Sequence, residues 1–256
     1  MLSGGLNKLF TPLKKSLLDA GACRVGFADL MLFPDKEVQT VFRTRLKIGE
    51  KTRLRGVSIA VTLPPQVVAG LKDGPTRSYH DAYCAANETL DRLARQCTYW
   101  LENAGFATWP QMQENIASHD TLNAHATRLP HKTVATLAGM GWIGKNALLV
   151  SPRFGSAIRI TSVVTVAPLP CDIPVSTPHC GSCDKCIQSC PATAIHGATW
   201  QMGETMTDDL VDVKRCEHVA QRLCRKNFGI NNRICGFCLY ICPFTQKWLR
   251  RQQLPL

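Results

Sequence analysis

Eight of the thirteen cysteines in this chain crowd between residues 180 and 242, and their spacing points to a chemistry. CGSCDKCIQSCP, residues 180–191, fits C-x2-C-x2-C-x3-C-P without a mismatch. In such a run three closely spaced thiolates wrap one face of a 4Fe-4S cube, and the fourth, just ahead of the proline, ligates a second cube. ICGFCLYICPF, residues 234–244, supplies the returning motif, C-x2-C-x3-C followed by proline. Cluster one is therefore read as Cys180, Cys183, Cys186 and Cys242. Cluster two has Cys190, Cys235 and Cys238 and is one ligand short. DVKRCEHVAQRLCRKNFG, residues 212–229, reads as a helix and offers two candidates: Cys216 at its start is the preferred fourth ligand, and Cys224 the alternate.

The competing metal is zinc, bound by the two CxxC pairs. Zinc ribbons bring their second pair within about 15 to 20 residues, whereas here it begins only at Cys235, and zinc would leave four clustered thiols without a role. The other five cysteines (Cys23, Cys84, Cys97, Cys171 and Cys224) are scattered, and the first three read as small buried hydrophobes.

Charge agrees with buried anionic clusters. The formal net charge is +11, and two oxidised 4Fe-4S clusters of about −2 each, thiolates included, would bring it to about +7. From Lys214 to Arg251 stand nine Lys or Arg against one acid, Glu217. Such a stretch compensates the clusters and also suits an anionic partner, either nucleic acid or an acidic electron donor.

At 256 residues, 45% hydrophobic and 7% aromatic, the chain has enough interior to fold without covalent staples and is not disordered. MLSGGLNKLFTPLKKSLL has no signal-type apolar region, and no run approaches the roughly 18 apolar residues of a spanning helix. The expectation is a cytoplasmic protein with reduced thiols and no membrane partner.

The cysteines need a scaffold, and the rest of the chain alternates helix and strand patterns. LNKLFTPLKKSLLDAG and YHDAYCAANETLDRLARQCTYWLENAG carry helical spacing of apolar residues. CRVGFADL, GVSIAVTL, ALLVSP and AIRITSVVTVAPL read as strands. An α/β or α+β layered domain is expected over residues 1–170, with the Pro-rich PLPCDIPVSTPHC, residues 168–180, linking it to a cluster domain over 171–256. GMGWIGKN almost spells a phosphate loop, but Asn146 stands where the magnesium-binding hydroxyl belongs. The order of elements is also reversed: the helical HKTVATLAG precedes the turn and a strand follows it, so no helix N-terminus faces a phosphate there.

AGMGWIGKNALLV, the strand ending in APLP, CGSCDKCIQSCPATAI, VKRC and NNRICGFCLYICP together resemble the epoxyqueuosine reductase family, whose cluster domain is similar in outline to that of reductive dehalogenases. SYHDAY and IAVTLP are weaker landmarks of the same kind. The resemblance implies a nitroreductase-like N-terminal domain holding base-off cobalamin, followed by a two-cluster bacterial ferredoxin-like domain that feeds it electrons. It matches the cysteine of VKRC, Cys216, to the family's fourth ligand, and it places Trp142, Gly144, Lys145 and Asn146 beside the corrinoid. Counted without gaps, His125 falls at the family's proton-donating aspartate and His131 at the glutamate after it, while Asp120 takes the first role only through a gap. The chain reads as a short, divergent member.

The function so implied is a reductase whose clusters pass electrons from a low-potential donor, of ferredoxin or flavodoxin type, to a corrinoid that reduces a small molecule or a modified nucleoside. Flavin is the other organic cofactor such a scaffold takes. The alternative is a ferredoxin-like carrier or activator for a partner protein, without an organic cofactor of its own. Binding of transfer RNA through the basic stretch is a third reading.

Overall fold

The computed structural model describes residues 2–112, 121–123, 126–127 and 129–252. The chain forms two compact units, one of Met1–Val61, Glu88–Met140 and Arg159–Val175, the other of Thr62–Asn87, Gly141–Ile158 and Ser176–Leu256.

The first unit is built on a four-stranded sheet with strands β1 (Arg24–Asp29), β2 (Arg55–Thr62), β3 (Thr108–Pro110) and β8 (Ile158–Thr165), in the order β1-β2-β8-β3. β1 pairs antiparallel with β2, and β3 with β8. Two shorter pairs, β4 (Thr121–Asn123) with β5 (Ala126–Thr127) and β6 (Trp142–Ile143) with β7 (Leu149–Val150), lie between β3 and β8 in the chain.

Side-chain size sorts the two faces of β1 and β2. The register sets Val25 opposite Ile59 and Phe27 opposite Val57 on one face, and Gly26 opposite Ser58 and Ala28 opposite Gly56 on the other. The bulky face receives the helix Leu2–Asp19, whose Phe10, Leu13 and Leu17 are fully buried. Phe10 meets the rings of Phe27, Trp100 and Phe106 at 5.9 to 6.5 Å between centroids. Trp100 belongs to the long helix Arg77–Asn103, which buries Leu90, Leu93, Ala94, Cys97 and Leu101 along one stripe. The small face admits the helix His131–Leu137 at close range. A Cβ on Gly26 would lie 2.5 Å from the Ala138 carbonyl oxygen, and one on Gly56 2.7 Å from Val134 Cγ1. Arg24, on the same face, donates to the carbonyls of Gly139 at 2.7 Å and Met140 at 3.3 Å, satisfying acceptors left free beyond the helix end.

Residues 166–180 contain no helix or strand. Their first part is nonetheless tied down: Phe27 and Asp172 exchange two hydrogen bonds of 2.8 Å, and Val175 N–H donates to the Thr136 carbonyl at 2.9 Å.

The second unit holds the helix Val213–Phe228, begun by Asp212, whose carboxylate accepts from Arg215 N–H at 2.9 Å, and ended by Gly229 at φ +74°. The helix Pro243–Arg251 follows the last cysteine directly and buries Thr245, Trp248 and Leu249. Among the described residues no helix is long and apolar enough to cross a membrane.

Candidate metal centre

The two cysteine motifs adopt related local structures. Each is C-G-x-C with its glycine in the left-handed region, Gly181 at φ +51° and Gly236 at φ +90°. The chain then turns into a single helical turn, Lys185–Gln188 after the first motif and Phe237–Tyr240 within the second. These glycines are a signal in the sequence itself, since only a residue without Cβ takes this bend cheaply between two ligands.

All thirteen cysteines are among the described residues and none is in a disulfide. Mutual influence sorts the eight of interest into two groups. Burial pushes the Cys186 thiol up to about 11, and Cys180, Cys242 and Cys183 push the same way. Burial also raises Cys242, where the backbone N–H groups of Thr245 and Phe244 pull down and Cys180 pushes up. In the other group burial takes Cys235 up to about 11, with Phe237 N–H opposing and Cys216, Cys190 and Cys224 adding. Burial raises Cys216, reinforced by Cys190, Glu217 and Asp212. Cys238 is raised by burial and then by Cys235, Cys216, Cys186 and Cys190, so it alone feels both groups strongly.

Cys224 has a different occupation. It is fully buried and donates its S–H to the Ile234 carbonyl at 3.0 Å. Cys216, in the first turn of the same helix, is the one that neighbours Cys190.

The sulfurs fit two cubane clusters in three respects. Their charges act on one another mainly within two sets, Cys180, Cys183, Cys186 and Cys242 in one and Cys190, Cys216, Cys235 and Cys238 in the other, with Cys238 also feeling Cys186 and Cys235 also feeling Cys224. Donors already address them, with Ala194 N–H at 3.4 Å from Cys190 Sγ and the two amides noted at Cys242. The Ser156 hydroxyl is buried without a well-formed hydrogen bond among the described residues, yet lies close enough to Cys242 to favour its thiolate, as a donor awaiting an anionic sulfur would. No three His, Cys, Asp or Glu among the described residues close on a single ion. A cubane asks for wider spacing, because each thiolate binds a different iron.

GWIGKN, residues 141–146, holds strand β6 and opens the β6–β7 turn, so strand, turn and strand follow one another. Gly144 N–H donates to Leu148 O at 2.9 Å and Ala147 N–H to Gly144 O at 2.8 Å, with Ala147 at φ +58°. Trp142 is 1% exposed and meets edge-on both His179, next to Cys180, at 4.7 Å between centroids and Phe244, two residues after Cys242, at 4.9 Å. Lys145 Nζ donates to the carbonyls of Gly181 at 2.9 Å and Cys183 at 3.1 Å. The buried Asn146 donates from Nδ2 to the Cys238 carbonyl at 3.2 Å.

His125 and Asp120 lie outside the described residues. His131 lies within them, in the first unit, where its Nδ1 is 2.8 Å from Ser162 Oγ, and Ser162 Oγ also accepts from Gln111 Nε2 at 2.7 Å. Burial, and then the Arg159 cation, push His131 down to about 4, so it is neutral at physiological pH and shares a hydrogen bond with the Ser162 hydroxyl as a neutral imidazole.

Residues 179–245 match the protein family described as "4Fe-4S double cluster binding domain". The epoxyqueuosine reductase of Aliivibrio fischeri is 32% identical over 205 residues, which cover 72% of this chain and 47% of that protein. The chain is thus similar to part of the epoxyqueuosine reductases. It spans less than half the length of the curated relatives it matches, down to 29% for that of Listeria monocytogenes. Two solved structures have the same fold. A crystal structure of epoxyqueuosine reductase with a tRNA-Tyr epoxyqueuosine-modified stem loop superposes at a TM-score of 0.57 with 20% identity, over 94% of this chain and 66% of that one. A reductive dehalogenase, whose structure suggests a mechanism for B12-dependent dehalogenation, gives 0.63 with 17% identity, over 94% and 33%.

Proposed function

We propose that the chain is an iron-sulfur oxidoreductase that relays single electrons through two 4Fe-4S clusters to a bound corrinoid, which reduces an organic substrate. Cluster one would be held by Cys180, Cys183, Cys186 and Cys242, and cluster two by Cys190, Cys216, Cys235 and Cys238, within a ferredoxin-like domain over 171–256. The observation that carries this reading is the pair of C-G-x-C loops, each with its glycine in the left-handed region, together with the influence of Cys242 on Cys186 and of Cys190 on Cys235, by which each loop draws on a cysteine of the other's motif. The corrinoid and a nitroreductase-like domain over 1–170 rest on the kinship and on the fold shared with a B12-dependent dehalogenase. When bound, a corrinoid would supply the cobalt chemistry that cysteine-ligated clusters lack. A modified nucleoside in transfer RNA is the substrate class suggested by the stem-loop complex of the relative. The exposed Lys214, Arg215, Arg222, Arg225, Lys226, Lys247, Arg250 and Arg251 suit its phosphates, or an acidic electron donor.

The carrier reading has an observation of its own in its favour. The Lys145 ammonium and the Asn146 amide, assigned above to a corrinoid, spend hydrogen bonds on the cluster loops. One preparation separates the two. Anaerobically reconstituted protein is mixed with hydroxocobalamin, desalted and reduced. Stoichiometric retention, with the corrinoid spectrum reduced through the clusters, is the expected result, and a corrinoid that washes out leaves the carrier.

A further inference from the structure

The β6–β7 turn touches both cysteine motifs with adjacent residues. Lys145 grips two carbonyls of CGSC, and Asn146 one carbonyl of CGFC. Neither side chain is loosely placed. Asn146 Oδ1 accepts from Leu148 N–H at 3.2 Å, which fixes the amide so that Nδ2 points at Cys238. The hairpin beneath is anchored by buried Trp142, whose ring meets His179 and Phe244, close in sequence to Cys180 and Cys242.

The two contacts differ in charge. Lys145 brings a whole positive charge to the loop between two ligands of cluster one, whereas Asn146 brings only an amide dipole to cluster two. Near Cys216, cluster two has the carboxylates of Asp212 and Glu217. Asp212 is turned to its helix cap, and Glu217 is partnered by Arg233 at 3.1 Å. When the low-potential donor passes one electron to a cluster, the cluster with its thiolates goes from about −2 to about −3, and a fixed cation favours the more negative form.

We propose that Lys145 and Asn146 are positioning residues of the cluster site, one for each cluster, and that the Lys145 charge makes cluster one the more readily reduced of the pair. The inference rests on the two-cluster reading above and is tested apart from it.

Full-length protein, loaded anaerobically, is titrated with a reductant while both clusters are followed by electron paramagnetic resonance and iron is counted. Wild-type protein with fewer than eight irons would sink the two-cluster reading itself. With eight, Lys145→Gln, which keeps a donor and loses the charge, should lower the higher of the two midpoints and leave the other in place. Lys145→Arg should restore it. Asn146→Ala should change the spectrum or iron retention of the other cluster and spare the Lys145-sensitive one. Unmoved midpoints, or both midpoints falling together, in Lys145→Gln overturn the proposal, as does an Asn146→Ala protein with both spectra unchanged. If Lys145→Gln keeps only four irons, the survivor must have the spectrum left by Cys183→Ser, which removes a ligand of cluster one; survival of cluster one instead also overturns it.

Discussion

The Cys224 thiol donates to the Ile234 carbonyl at 3.0 Å, one residue ahead of the CGFC motif, while Cys216, eight residues earlier on the same helix, neighbours Cys190. One helix thus carries a thiol that supports the motif and another that can complete its cluster. Cys216→Ala is expected to cost four of eight irons. Cys224→Ala should keep all eight and lose about 1–2 kcal/mol of stability from one buried contact and hydrogen bond. Iron and sulfide analysis beside a denaturation curve checks both, and the reverse pattern would reassign the eighth ligand.

Trp142 joins the two ends of the cluster-one ligand set through His179 and Phe244. Trp142→Ala should destabilise by about 3–5 kcal/mol, as emptied aromatic sites do. It should also release iron from cluster one before cluster two. Trp142→Phe should retain iron, and chelator-challenge kinetics followed by spectroscopy distinguish the two.

On the alkaline side, the metal-free protein should lose stability. Burial raises Cys186 and Cys235 from an ordinary value of 9.0 to about 11, so the folded chain holds protons that the unfolded chain releases sooner. That contribution is intact below pH 9 and disappears as pH rises towards 11. Cluster loading, which needs thiolates, should run the opposite way and improve with rising pH. Thermal melts of apo protein between pH 8 and 11 should fall; a flat profile would mean these thiols are solvated.

The His131–Ser162 pair sets the acid side. His131 falls from 6.5 to about 4 in the folded chain, so the unfolded state gains a proton first. Its contribution is complete above pH 6.5 and is lost as pH falls towards 4. His131→Gln should flatten that part of the stability curve, and an unchanged slope would assign it to other groups.

Gly26→Ala is expected to cost about 1–3 kcal/mol, because the added methyl would meet a backbone oxygen at 2.5 Å that has no rotamer with which to yield. Ser58→Ala, on the same face and already a small side chain, should be far milder. A denaturation series that ranked them equally would remove the close-approach argument.

The cysteine motifs were legible because cluster ligation imposes fixed spacing, and the helix Val213–Phe228 because Asp212 and Gly229 bracket an amphipathic run. Strands β1, β2 and β8 were legible as apolar runs between punctuating residues. The β6–β7 hairpin was read as a helix-to-strand turn, since two-residue strands have no period to detect. What Lys145 and Asn146 hold could not be read at all. Their partners are backbone carbonyls 36 to 92 positions away, and a carbonyl has no letter in the sequence. The small face of β1 and β2 stands between these cases. Gly26, Ala28, Gly56 and Ser58 are visible as letters, but only the register shows that they share a side.

The paired bonds between Phe27 and Asp172 close the outer border of β1, the last strand on its side of the sheet. A fragment cut at residue 170 would leave that border unzipped, with a bare amide and carbonyl ready to recruit a strand from a second copy. In the full chain, Asp172→Ala removes the acceptor of Phe27 N–H and should speed amide exchange there while β2 stays protected. The stretch that looks like a tether is the selvedge of the sheet.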